Sequence, residues 1–132
     1  MRLAVDTNIL VRLLTHDDEK QYQKAYKLFQ HSHLYIARTV LLETEWVLPY
    51  AYKYSATDII HAFKTLSGLP NVEVENADIL ANALDWHQSG LDFADALHLA
   101  GSQNCDTFYT FDEKFIKKGK NISNCEVKKP GH

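Results

Sequence analysis

The sequence predicts an α/β fold in which a central, mostly parallel sheet is covered by helices on both faces. Short apolar runs of strand character alternate along the chain with longer stretches of helical spacing, the order that builds parallel sheets. Gly, Pro and Ser never cluster into a linker, and 132 residues suit one domain. Residues 1–132 are therefore expected to form a single domain.

The elements follow in order. Leu3-Ala4-Val5 is a first strand ending at Asp6, and the apolar residues from Asn8 to Leu14 continue as a helix. Glu19 to His31 carries Tyr22, Ala25, Tyr26, Leu28 and Phe29 on a helical stripe, and Leu34 to Ala37 is a second strand. Thr39 to Tyr54 reads as a helix broken or kinked near Pro49, since proline lacks the N–H and crowds the preceding turn. Ser55 or Thr57 caps a helix that stops at Gly68. Val72 to Glu75 alternates as a strand, and Ala77 to Gln88 is helical, ending before Gly90. Asp92 opens a helix through about Ser102. Thr107 to Thr110 is a strand, Glu113 to Lys118 a short helix, and Glu126-Val127 a last edge strand; His132 falls in a tail.

Composition excludes several classes. At 45% apolar, 11% aromatic and 23% charged, with 5 Gly and 3 Pro, the chain is neither collagen-like, low-complexity nor disordered. No apolar run approaches the roughly 20 residues of a membrane span, and an acid interrupts the start too early for a secretory signal. A cytoplasmic location with no membrane partner is expected. Cys105 and Cys125 lack the spacing of a zinc set and read as free thiols. Net charge is only −3, but from Lys114 onward six lysines face one acid, Glu126, while residues 1–113 hold eight basic and sixteen acidic residues. A basic end on an acidic body is either a phosphate-steering patch or a solvated tail.

Four acids interrupt apolar segments: Asp6, Glu43, Asp95 and Asp112. Carboxylates are rarely buried without compensation, so each is expected to have a partner. Asp6 and Asp112 lie just past the carboxyl ends of strands, where open α/β sheets bind ligands, although both also suit helix N-caps. Glu43 and Glu45 point about 200° apart on their helix, so only one faces a given cleft, and periodicity does not choose between them. Asp92 and Asp95 are neighbours at a helix start, Asp92 as cap or support and Asp95 as ligand. Convergent carboxylates without a matching cation repel, and oxygen-only ligation suits Mg2+ or Mn2+.

Val5-Asp6-Thr7-Asn8, the run Leu41 to Leu48, the run Phe93 to Ala100, and Thr110 to Phe115 together resemble the PIN-domain family, and within it the VapC-type toxins of toxin–antitoxin pairs. The resemblance implies a three-layer α/β/α sandwich and a Mg2+- or Mn2+-dependent endoribonuclease with an acidic set of Asp6, Glu43, Asp95 and Asp112. It favours Glu43 over Glu45, and gives Thr7, Asn8 and Asp92 supporting places. It further implies an RNA substrate cut to leave a 5′-phosphate and a 3′-hydroxyl, a small antitoxin and a homodimer. RNA would be attracted by Arg12, Arg38 and the lysines from 114 onward, Lys114, Lys117 and Lys118 among them. Tyr22, Tyr26, Trp46 and Trp86 are at helical spacing and are expected in the core rather than stacked on bases; His98 is expected in a packing or surface role.

Two other readings stand beside this one. A PIN-like module could bind RNA or protein without turnover. A phosphatase or phosphotransferase using Asp6 as nucleophile would want an acid two residues on, and the chain has Asn8 there.

Overall fold

In the computed structural model, which describes residues 1–131, every strand pairing is parallel and helices connect the strands. His132 lies outside the described residues. The α/β class and the parallel strands are as expected. The chain divides into two compact units, Met1–Ala77 and a second from Asp78 onward, with a three-stranded parallel sheet in the first and a two-stranded one in the second.

In the first unit β1 (Arg2–Ala4), β2 (His33–Ile36) and β3 (Val72–Val74) form a sheet in that order, with Leu3 opposite Leu34 and Leu34 opposite Val72. Parallel neighbours need long crossovers, which are supplied here by α1 (Thr7–Thr15) and α2 (Glu19–His31), then by α3 (Arg38–Tyr52) and α4 (Ala56–Ser67). Helix α1 packs on α2 and α3, α2 packs on β2, and α4 on α3 and β3. Leu10, Leu34, Ile36, Leu41, Leu48, Ile59 and Phe63 are fully buried between these layers. At roughly 25 cal/mol per Å2 of apolar surface, each stabilises the fold by about 1.5–3 kcal/mol.

Ser55 is the cap of α4, in a reciprocal capping box with Asp58. Of the break or kink expected near Pro49, the break does not occur. Only one turn follows the proline, and Lys53, in the left-handed conformation, closes it by donating its N–H to the Leu48 carbonyl. The helix therefore continues to Tyr52.

In the second unit α5 (Ala77–Gln88) and α6 (Phe93–Ala100) precede β4 (Thr107–Tyr109), α7 (Glu113–Lys118) and β5 (Glu126–Lys128). Strand β4 pairs with β5, Phe108 opposite Val127, and α7 packs on β5. Helix α6 ends at Ala100, short of Ser102, with Gly101 as its cap. Leu84, Phe93, Ala96, Leu99, Phe115 and Cys125 are buried. Among the described residues no helix is long and apolar enough to cross a membrane.

Candidate active-site residues

The first acidic cluster is built at the end of β1. Asp6 is extended and caps α1, its carboxylate accepting the Thr7 N–H at 2.8 Å. Thr7 itself is buried, and its hydroxyl donates to Glu43 Oε1. One threonine thus holds both acids, through its backbone and its side chain. The start of α3 is fixed from β3. Ala37 has no side chain able to cap the helix, and Glu75 accepts the Arg38 N–H at 2.8 Å instead.

Asp6, Thr7, Asn8, Arg12, Glu43 and Tyr52 line a cleft of about 400 Å3 together with Val11, Val47 and Ala51. Arg12 does not reach freely into it. Its Nε donates to Gln21 at 2.6 Å, and another guanidinium nitrogen contacts Asp17 at 3.1 Å and Tyr52 Oη at 3.3 Å. Tyr52 donates in turn to Asp17 at 2.6 Å. That hydroxyl, the largest influence, holds the Asp17 carboxyl below its ordinary value against the next largest, desolvation, with Thr15 and the Arg12 charge adding to it.

The second cluster stands on two helix starts. Asp92 caps α6 and accepts the Asp95 N–H at 3.3 Å, while Asp112 caps α7 and accepts from Lys114 and Phe115 at 2.9 and 3.1 Å. Each cap contributes on the order of 1 kcal/mol to its helix. All three acids line one cleft of about 500 Å3. Asp95 is half-buried and its carboxyl is pushed up, first by burial, then by the charges of Asp92 and Asp112, with His98 opposing. Its anionic form is therefore strained without a cation.

Lys114 and Lys118, one turn apart on α7, line this same cleft, and neither forms an ion pair among the described residues. Gly90 makes room for Lys118. It has a φ of +113°, and a Cβ there would meet Lys118 Nζ at 3.3 Å.

The structure thus brings Asp6, Thr7, Asn8, Arg12 and Glu43 together in the first unit, and Asp92, Asp95, Asp112, Lys114 and Lys118 in the second. Glu45 lines neither cleft, Arg38 meets Glu75 through its backbone, and Lys117 is exposed outside both. Asp6, Glu43 and Asp112 are exposed and Asp95 half-buried, Asp6 and Asp112 at helix N-caps and Glu43 in the wall of its cleft. Trp46, expected in the core, is exposed, and so is Tyr26. Sequence reasoning missed the Asp17–Tyr52 network and placed the lysines apart from the acids. The four-residue spacing of Lys114 and Lys118 behind Asp112 was the available signal for the second.

Among the described residues no three His, Cys, Asp or Glu side chains are arranged to enclose an ion. The chemistry of the donors nevertheless fits a hard divalent cation: carboxylate oxygens only, in clusters whose mutual repulsion is already felt at Asp95.

No curated protein sequence matches the chain. The crystal structure of VapC20 from Mycobacterium tuberculosis, a sarcin–ricin loop cleaving toxin, is 22% identical, with a TM-score of 0.43, over 90% of this chain and 95% of that one. The PIN domain model matches residues 3–121. That match covers most of the sequence and includes all four interrupting acids, so the chain belongs to the PIN domain family.

Proposed function

We propose that the protein is a divalent-metal-dependent endoribonuclease, the toxin of a VapBC-type toxin–antitoxin pair. The observation that carries this reading is the second cleft, where burial and then the charges of Asp92 and Asp112 raise the Asp95 carboxyl and two lysines line the same space, in a chain of the PIN family. A cleft of this kind attracts the phosphodiester through its lysines and leaves acidic oxygens for a metal. Because the family match runs through the division after Ala77, both units are read as one PIN domain.

In this reading Asp6 in the first unit and Asp95 and Asp112 in the second are ligands of Mg2+ or Mn2+, and Glu43 is a further ligand or positions the attacking water. Such a cation, when bound, lowers the pKa of water and offsets charge growing on the scissile phosphate. Thr7 keeps Glu43 in place through its hydroxyl, and its N–H holds Asp6. Asp92 and Asn8 support their neighbours, and Lys114 and Lys118 orient the phosphate backbone, with Lys117, Arg12 and Arg38 as further cations along the RNA. Hydrolysis leaves a 5′-phosphate and a 3′-hydroxyl by family analogy. A small antitoxin, a homodimer and a cytoplasmic location complete the reading.

The test is incubation of the purified protein with structured RNAs in Mg2+, in Mn2+ and in EDTA. Cleavage that needs the metal and is abolished by Asp6→Asn supports the nuclease. RNA binding without cleavage under every metal favours a non-enzymatic module, and covalent phosphorylation of Asp6 favours the phosphotransferase.

A further inference from the structure

We propose that Trp46 and Tyr50 form a platform on which an unpaired base of the RNA substrate stacks beside Glu43. The proposal rests on the ribonuclease reading and deepens it by naming where the substrate strand is held. Trp46 is 66% and Tyr50 81% exposed, and their rings are stacked on each other with centroids 5.6 Å apart and planes within 7°. On an α-helix, residues three, four and seven apart share a face. Glu43, Trp46 and Tyr50 therefore form one stripe of α3, next to Val47 and Ala51, which line the Glu43 cleft.

The size of the patch selects its occupant. A large aromatic side chain buries at most roughly 150–250 Å2, so two of them fall well short of the roughly 800 Å2 per partner of a stable protein interface. Polar, exposed Thr39 and Glu43 precede the pair along the same stripe and exposed Lys53, the cap of α3, follows it in the chain, so the apolar stripe does not extend along the helix. A nucleobase offers a flat face of matching size, and stacking tolerates any base. Exposed Lys53, at the end of α3, supplies a cation for an adjoining phosphate. The two rings already stack on each other, so little ordering is needed when a base arrives.

Trp46 and Trp86 are the two tryptophans of the chain, so Trp86→Phe leaves Trp46 as the sole indole emitter. In EDTA, titration of that variant with a short unstructured RNA is expected to quench Trp46 emission saturably. Trp46→Leu or Tyr50→Leu in the otherwise unaltered chain is expected to weaken RNA binding, measured by anisotropy of labelled RNA, by about 5-fold or more. With metal present the same variants raise KM and leave kcat nearly unchanged, and Trp46→Phe restores binding. RNA binding at wild-type strength by both Leu variants overturns the platform while leaving the nuclease reading intact. An absence of RNA binding or cleavage in the wild-type protein overturns both. Emission that changes with protein concentration alone, together with loss of a dimer in Trp46→Leu by analytical ultracentrifugation, assigns the rings to a second copy of the chain and also overturns it.

Discussion

The hydroxyl of Thr7 donates to the carboxylate of Glu43, thirty-six positions away, while the Thr7 N–H holds Asp6. A buried threonine therefore fixes the orientation of an acid that is itself exposed. Thr7→Val keeps the shape and removes the bond. Hydrogen bonds to charged groups contribute about 1.5–3 kcal/mol, so kcat for RNA cleavage is expected to fall roughly 10- to 100-fold, with Thr7→Ser close to wild type. Equal activity of Thr7→Val and Thr7→Ser in a single-turnover assay would show that Glu43 needs no support.

Asp95 gives a prediction with opposite signs for stability and activity. Its carboxyl is pushed up by burial and by Asp92 and Asp112. A carboxyl raised in the folded state binds more protons there than when unfolded, so stability without metal falls as pH rises from the unfolded value through the folded one. Asp95→Asn removes that penalty. Without added metal its melting temperature is expected to exceed wild type near neutral pH, and the difference to close in acid. Cleavage should fall by at least about 100-fold, beyond the 10- to 100-fold typical of groups that only support a metal ligand. Calorimetry with and without Mg2+ checks both halves: Mg2+ raises the wild-type midpoint and leaves the variant unmoved.

The caps and apolar runs were legible because they are local. Ser55, Asp92 and Asp112 announce helix starts, Gly68 follows a helix end, and Leu34 to Ile36 has no polar residue other than the half-buried Tyr35. What the chain does not write locally was harder to read. The Thr7–Glu43 bond and the Glu75 carboxylate at the start of α3 join residues more than thirty positions apart, and no spacing rule brings them together. Pro49 predicted a break or a kink from its chemistry alone, whereas its place in the last turn, closed by Lys53, lets the helix run on unbroken. Trp46 shares helical spacing with core residues, and only the packing of α1 and α4 against α3 determines which side of that helix faces water.

Tyr52 carries a pH prediction away from the acids. Its hydroxyl is the main reason the Asp17 carboxyl sits below its ordinary value of 3.8. A depressed carboxyl contributes stability that is present above the unfolded pKa and lost as pH falls through the folded one. Tyr52→Phe lets Asp17 return towards its ordinary value. The melting-temperature gap between wild type and variant is thus expected to be full near neutral pH and to close below about pH 3.8. Thermal melts from acid to neutral pH decide it. A gap that stays constant would mean that Tyr52 acts through its ring contacts alone.

The lysines of the second cleft make a prediction about salt rather than about chemistry. Lys114 and Lys118 line the cleft of Asp92, Asp95 and Asp112 without ion-pair partners among the described residues. Lys129, by contrast, is paired with Glu113, and Lys128 with Glu126 at 3.5 Å. Unpaired cations beside an acidic cleft are the ones available to phosphate. For single strands, each neutralised phosphate adds roughly 0.7 to the slope of log affinity against log salt. The double variant Lys114→Gln, Lys118→Gln is expected to lower that slope by about 1.4 and to weaken binding most at low salt. Lys128→Gln with Lys129→Gln, whose charges are already engaged, should change it less. RNA titrations in EDTA over a range of salt concentrations measure the slope directly. Equal slopes for the two double variants would mean that phosphate is held by the basic end as a whole, with no special part for the cleft.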